Sequence, residues 1–190
     1  YTMTEKIKYA IIGAGCMGQE HILNIGIIDD AEVVALCDTS EQSIKESLEL
    51  LNYEVAIFND YNDLIEANIA NAFIIATPNF THIDVLKDVM KSGVHLLIEK
   101  PLCTTVKDCQ EFEKLAENYP GVIWTAMEYR YMPPVQRMIK EIHNNAIGDL
   151  KMLSIREHRF PFLHKVDDWN RFAIKTGGTL VEKCCHFFDL

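Results

Sequence analysis

Two periodicities alternate along the first 125 residues. Short continuous apolar runs at 9–12, 33–37, 72–76, 94–98 and 122–126 are separated by stretches with apolar residues three and four apart. Continuous runs of this length suit strands buried on both faces, and the intervening spacing is that of amphipathic helices. Residues 54–58 add a short third strand. The helical apolar sets are Met17, Ile22 and Ile25, then Ile44, Leu48 and Leu51, then Ile83, Leu86, Val89 and Met90, and finally Cys109, Phe112, Leu115 and Ala116. A short helix is expected over 62–68. Thr39 with Gln42 and Thr105 with Asp108 have the spacing of helix N-caps, and Gly93 suits a C-cap. Strand–helix alternation of this regularity implies right-handed crossovers and a doubly wound parallel sheet. The expected fold class is therefore α/β, Rossmann-like, with a first domain at 1–126.

From Met127 the pattern changes. Tyr129-Arg130-Tyr131-Met132-Pro133-Pro134 interrupts the alternation, and a helix carrying Val135, Met138, Ile139 and Ile142 follows, ending near Gly148. Residues 150–156 alternate as a strand, 160–171 read as an irregular loop, and 180–190 read as a final helix after Gly177-Gly178. These 64 residues, 127–190, are expected to start a second domain.

The strand at 9–12 runs directly into Gly13-Ala14-Gly15-Cys16-Met17-Gly18, then a helix, then a strand ending on Asp38. Strand, glycine turn, helix, strand and acid is the context of a dinucleotide fingerprint. Gly13 serves the tight turn, Gly15 the approach of a pyrophosphate, and Gly18 the close packing of helix on strand. Cys16 and Met17 begin the helix whose free N–H groups would face the phosphates. Asp38 is placed to accept from ribose hydroxyls. It would repel a 2′-phosphate, and Thr39-Ser40-Glu41 offers no cation to pair with one, so NAD is expected in preference to NADP. The bland alternative for Asp38 alone is a surface turn acid.

Other breaks also fall at strand carboxyl ends, where open α/β sheets bind ligands. They are Thr77-Pro78-Asn79 and Glu99-Lys100-Pro101. Asn79 suits either the nicotinamide side of a cofactor or a helix N-cap. For His82 the plain alternative, a residue at the helix start, is favoured over a cofactor contact.

Composition narrows the partners. The net charge is −10 with a pI near 5.1, which argues against nucleic acid or an anionic membrane as partner. No apolar run has the length to span a bilayer, and the residues before the first strand are read as holding no signal peptide. Six cysteines occur without a CxxC pair, so no metal site is expected and a reduced, cytoplasmic setting is.

The order of these landmarks resembles the glucose–fructose oxidoreductase, inositol dehydrogenase and MocA family. The resemblance rests on Gly13, Gly15 and Gly18 with Asp38, on Ala76-Thr77-Pro78-Asn79 with His82, and on Glu99-Lys100-Pro101. It continues through Arg130…Pro134, Ile147-Gly148, Trp169-Asn170-Arg171, Gly177-Gly178 and His186-Phe187-Phe188-Asp189. It implies a hydride transfer between nicotinamide and a carbinol of a sugar or polyol. Lys100 would touch substrate hydroxyl and cofactor ribose and stabilise the oxygen, and the bond before Pro101 would be cis. His186 would handle the proton, with Glu182 four residues earlier on the same helix face, where the family usually has aspartate. Lys183-Cys184-Cys185 also departs from the family's smaller residues. Trp169 and Arg171 would line the substrate pocket, and Glu99 with Thr77, Pro78 and Asn79 would border the cofactor. Each has a plainer alternative: a solvated strand-end lysine, an incidental helical pair, loop packing. Two rival functions share these residues, an NAD-dependent glycosidase and a dinucleotide-binding regulator without turnover. The resemblance also implies that the second domain is an α+β substrate domain with an open, mostly antiparallel sheet, incomplete here, and that the longer protein is a homo-oligomer. The 190-residue chain is accordingly expected to bind NAD and turn over little substrate.

Overall fold

The computed structural model describes residues 5–158 and 164–190. The chain divides into two compact units, residues 1–126 and 127–190.

The first unit is one six-stranded, wholly parallel sheet. Its strands are β1 (Ile7–Ile12), β2 (Ala31–Cys37), β3 (Ala56–Phe58), β4 (Ala72–Ile75), β5 (His95–Ile98) and β6 (Ile123–Thr125). Their order is β3-β2-β1-β4-β5-β6. The order reverses between β1 and β4, which makes that junction the switch point where doubly wound sheets bind dinucleotides. The helices are α1 (Cys16–Ile25), α2 (Glu41–Leu48), α3 (Tyr61–Ala67), α4 (His82–Val89) and α5 (Val106–Ala116). One core layer collects Ala10, Ile12, Phe73, Ile75, Leu86, Val89 and Ile98; the other collects Ile11, Ile22, Val33, Leu36 and Ile74. Adjacent residues of β1 and β4 thus feed opposite layers, which is why both strands are apolar throughout.

Local chemistry sets the ends. Thr105 caps α5 by accepting the Asp108 N–H at 3.1 Å. Asn68, in the left-handed region, closes α3, and Gly93 at φ 72° ends the turn after α4. The cap of α2 is Ser40, which accepts from Ser43 N–H, rather than Thr39. The shift arises because the Asp38 carboxylate takes the Ser40 N–H at 2.8 Å and carries the chain one residue further before the helix begins. Strand β3 is shorter than the expected 54–58, for only Ala56, Ile57 and Phe58 find partners on β2. Cys109 is exposed, and Phe112 alone of α5 is fully buried.

The second unit holds α6 (Pro133–His143), α7 (Ala173–Thr176), α8 (Thr179–Glu182) and α9 (Cys185–Phe188). Two expectations are corrected here. Residues 150–156 form no strand: a strand exists by its ladder, no partner segment pairs with them among the described residues, and Leu150, Met152, Leu153 and Ile155 are exposed. The expected helix over 180–190 is broken into α8 and α9. The Cys184 N–H reaches five residues back to the Thr179 carbonyl, and the regular ladder lapses before α9 starts. Residues 160–163 of the expected loop lie outside the described residues. Its later part, Val166–Arg171, is a 3-10 turn with Asp167 and Asp168 at positive φ.

Candidate active site

The ends of β1, β2, β4 and β5 stop at one level. The ladder carries one bond past each strand: Gly13 N–H to Cys37 carbonyl, Ala76 N–H to Ile12 carbonyl and Glu99 N–H to Ile75 carbonyl at 2.8 Å, and Asp38 N–H to Phe58 carbonyl at 3.2 Å. The Gly loop, Asp38, the Thr77 segment and the Glu99 segment therefore share one edge of the sheet.

Gly13 has φ 97°, and a Cβ there would stand 2.5 Å from the Ala76 carbonyl carbon. A Cβ on Gly18 would meet the Gly13 carbonyl oxygen at 2.2 Å, so helix and turn approach only because both are glycine. Gly15 differs. A Cβ there would meet nothing within 4 Å, so the space beside it at the α1 N-terminus is open. Between them, Ala14 is clasped from two sides: its N–H donates to Asp38 Oδ2 at 2.8 Å, and its carbonyl accepts from the buried Ser47 hydroxyl at 2.8 Å. Asp38 thereby braces the loop that it was expected only to accompany. Ser47 carried no sequence signal, since a serine within an amphipathic helix ordinarily faces solvent.

Asn79 is buried beyond β4, and its Nδ2 has no hydrogen-bond partner among the described residues. A buried donor left so is costly unless a ligand accepts from it. Open space at Gly15, the carboxylate of Asp38 and the unsatisfied Asn79 amide together fit a dinucleotide laid across the switch point.

Lys100 is partly buried, and its N–H donates to its neighbour's Glu99 Oε2 at 3.3 Å. The Lys100–Pro101 bond is cis, as the family resemblance implied. Two histidines flank this segment. His21, on α1, lies 2.7 Å from Glu99 Oε1 through Nε2, with both side chains largely buried. His82 is fully buried, with Nδ1 3.0 Å from the Pro101 carbonyl and Nε2 3.0 Å from the Thr77 carbonyl. Burial pushes its pKa below the ordinary imidazole value, against the opposing pull of the carbonyls around it. His82 thus lies buried between two strand-end loops, and the single N–H of its neutral ring donates to one of these carbonyls. His21 was missed: one histidine on a helix face has no distinguishing spacing.

The second unit places His186 in α9, buried, with its ring stacked on Tyr129 at 4.1 Å and its Nε2 3.4 Å from Glu128 Oε1. Lys183 is buried too, donating to the Tyr129 hydroxyl and lying 3.0 Å from Glu157 Oε1. Glu182 ends α8 while His186 belongs to α9, so no continuous helix face carries the pair. Trp169 is half-buried and Arg171 exposed, both in the 3-10 turn. Tyr129 and Glu128 went unread as partners of His186, because the contact joins residues more than fifty apart in sequence.

The first unit, then, is of the dinucleotide-binding class of oxidoreductase domains. The chain belongs to the GFO_IDH_MocA oxidoreductase family: residues 7–127 match its NAD-binding Rossmann fold, and residues 139–190 match its C-terminal alpha/beta domain. It is 26% identical over 184 residues to the rhizopine catabolism protein MocA of Rhizobium meliloti, covering 97% of this chain and 56% of that protein. To the myo-inositol 2-dehydrogenase of Thermotoga maritima it is also 26% identical, covering 97% and 53%. The WlbA dehydrogenase of Bordetella pertussis, solved with NADH and UDP-GlcNAcA, superposes with a TM-score of 0.70 at 25% identity, over 76% of this chain and 44% of that one. The chain spans about half the length of the curated relatives it matches.

Proposed function

We propose that this chain is the NAD-binding part, with the start of the substrate domain, of a dehydrogenase acting on a carbinol of a sugar or polyol. The observation that carries the reading is the shared sheet edge on which the Asp38-braced glycine loop and the Glu99-Lys100-Pro101 segment meet. Gly13, Gly15, Cys16, Met17 and Gly18 would receive the pyrophosphate, Asp38 the adenosine ribose, and Thr77, Pro78 and Asn79 the nicotinamide half. Bound NAD supplies a hydride acceptor for the carbinol carbon. The Lys100 ammonium would stabilise the charge that develops on the substrate oxygen. His186 would take the hydroxyl proton, a task suited to imidazole near neutral pH. Its stacking on Tyr129 would fix the ring plane. The relatives named above, two of them dehydrogenases and one of those acting on an inositol, support a polyol or sugar substrate. None lends weight to the glycosidase alternative. The longer protein is proposed to act in the cytoplasm as a homo-oligomer.

Calorimetric titration with NADH, followed by an assay of NAD reduction over a panel of inositols, polyols and aldoses, tests the proposal. Micromolar binding of NADH is expected. A chain with no measurable affinity for NADH would not be a dinucleotide-binding domain, and the proposal would fall.

A further inference from the structure

In the strand order β3-β2-β1-β4-β5-β6, Asp38 ends β2 and the glycine loop ends β1. A dinucleotide whose adenosine ribose lies at Asp38 and whose pyrophosphate lies at α1 must run its nicotinamide half the other way, over β4 and towards β5. The His21–Glu99 pair crosses that path. It joins α1, proposed to receive the pyrophosphate, to the end of β5, which carries Lys100 and lies two strands from β1 with β4 between. Neither residue needs the other to fill the core: both are polar, and each side chain retains some exposure, 15% and 8%.

We infer that His21 is a positioning residue for the nicotinamide half of the site, acting through Glu99; the inference rests on the dinucleotide reading given above. Glu99 spends Oε1 on His21 and Oε2 on the Lys100 N–H, so its carboxylate has one orientation as long as both donors hold. That orientation sets the backbone from which the Lys100 side chain departs. The far end of the same segment is fixed independently by His82 at the Pro101 carbonyl. Removing His21 leaves the His82 tie intact and frees the Glu99 carboxylate to rotate. The α1 N-terminus, Asp38 and the core layers are untouched. The loss therefore falls on the nicotinamide half and spares the adenosine and pyrophosphate half.

The test compares two ligands on the 190-residue chain. NADH reports on the whole site, and ADP-ribose, which lacks the nicotinamide, reports on the other half. For His21→Ala, NADH affinity is expected to fall about tenfold, the scale of one hydrogen bond to a charged group, with ADP-ribose affinity within about twofold of the unmodified chain. The emission of bound NADH should move towards that of the free cofactor. His21→Gln, whose amide nitrogen reaches about as far from Cα as the ring Nε2, should restore both. Equal losses for the two ligands, with a lowered Tm and no rescue by His21→Gln, would mark His21 as a fold residue and overturn the inference. Unchanged NADH affinity in His21→Ala would overturn it as well. Failure of the unmodified chain to bind either ligand would remove the dinucleotide reading and this inference together.

Discussion

Asp38 and Ala14 are joined by a 2.8 Å hydrogen bond from the Ala14 N–H to Oδ2, which ties the end of β2 to the centre of the glycine loop. The carboxylate therefore has two tasks, bracing the loop and offering its remaining lone pairs to a ribose. Asp38→Ala removes both and leaves the Ala14 N–H without its acceptor. NAD affinity is expected to drop tenfold or more, roughly the value of a charged hydrogen bond. The preference over NADP should narrow, because the repulsion of a 2′-phosphate goes with the charge. Asp38→Asn keeps an acceptor for Ala14 and should fall between the two. Parallel titrations with NAD and NADP read this directly; tighter NADP binding to the unmodified chain would contradict it.

Two glycines a single turn apart should respond oppositely to alanine. At Gly18 the new methyl meets the Gly13 carbonyl oxygen at 2.2 Å, a backbone atom that cannot step aside. Overpacking of this kind costs about 1–3 kcal/mol, and each kcal/mol lowers Tm by roughly 2–4 °C in a chain of this size. At Gly15 the methyl enters open space and φ is −76°, so Tm should stay within about a degree. The cost appears on binding, where the methyl occupies the approach of the pyrophosphate. Thermal melts and NADH titrations of both variants separate the effects. A Gly15→Ala chain with full NADH affinity would place the phosphates elsewhere.

His82 gives the fold a pH dependence whose sign follows from its burial. Its folded-state pKa lies below the ordinary 6.5, so the unfolded chain binds the proton more readily. The stabilisation is complete above about pH 6.5 and is lost as pH falls from there towards the depressed folded value. His82→Gln, which cannot titrate, should be less stable at pH 8 because a flexible amide replaces a fully buried ring. The gap between the two proteins should shrink below pH 6.5. Urea midpoints at pH 8, 7, 6 and 5.5 would show it, and curves that stay parallel throughout would mean that His82 does not change its protonation on unfolding.

Most of the sheet was legible because its strands are buried on both faces: runs such as Ala72-Phe73-Ile74-Ile75 have no reading but an interior one. The glycine loop and Asp38 were legible because backbone geometry demands those residue types at those places. What escaped was set by contacts between distant segments. His21 and Glu99 are 78 residues apart, and the serine that holds the Ala14 carbonyl lies 33 residues beyond it. In the second unit, residues 150–156 have the alternation of a strand but no ladder among the described residues, and α8 and α9 read as one helix until the bond from Cys184 to Thr179 breaks their register. Periodicity reports which face is apolar. It does not report whether a partner is present.

The last expectation concerns Lys100, whose proposed contribution belongs to the transition state alone. Its segment is positioned by backbone and neighbours: the Lys100 N–H is held by Glu99, and the Pro101 carbonyl by His82. Lys100→Met keeps the length of the stem and discards the charge, so NADH affinity should remain within about twofold. Loss of one oriented donor to a developing alkoxide costs about 3–4 kcal/mol, or a hundredfold and more in kcat. Lys100→Arg keeps the charge but spreads it over a planar fork of different reach, and should recover little of the rate. Steady-state kinetics on an identified polyol, in a preparation with measurable turnover, would be set beside calorimetry of the same variants. A kcat for Lys100→Met within twofold of the parent would remove Lys100 from the chemistry. A large loss of NADH affinity with unchanged kcat would instead make the lysine a binding group for the cofactor.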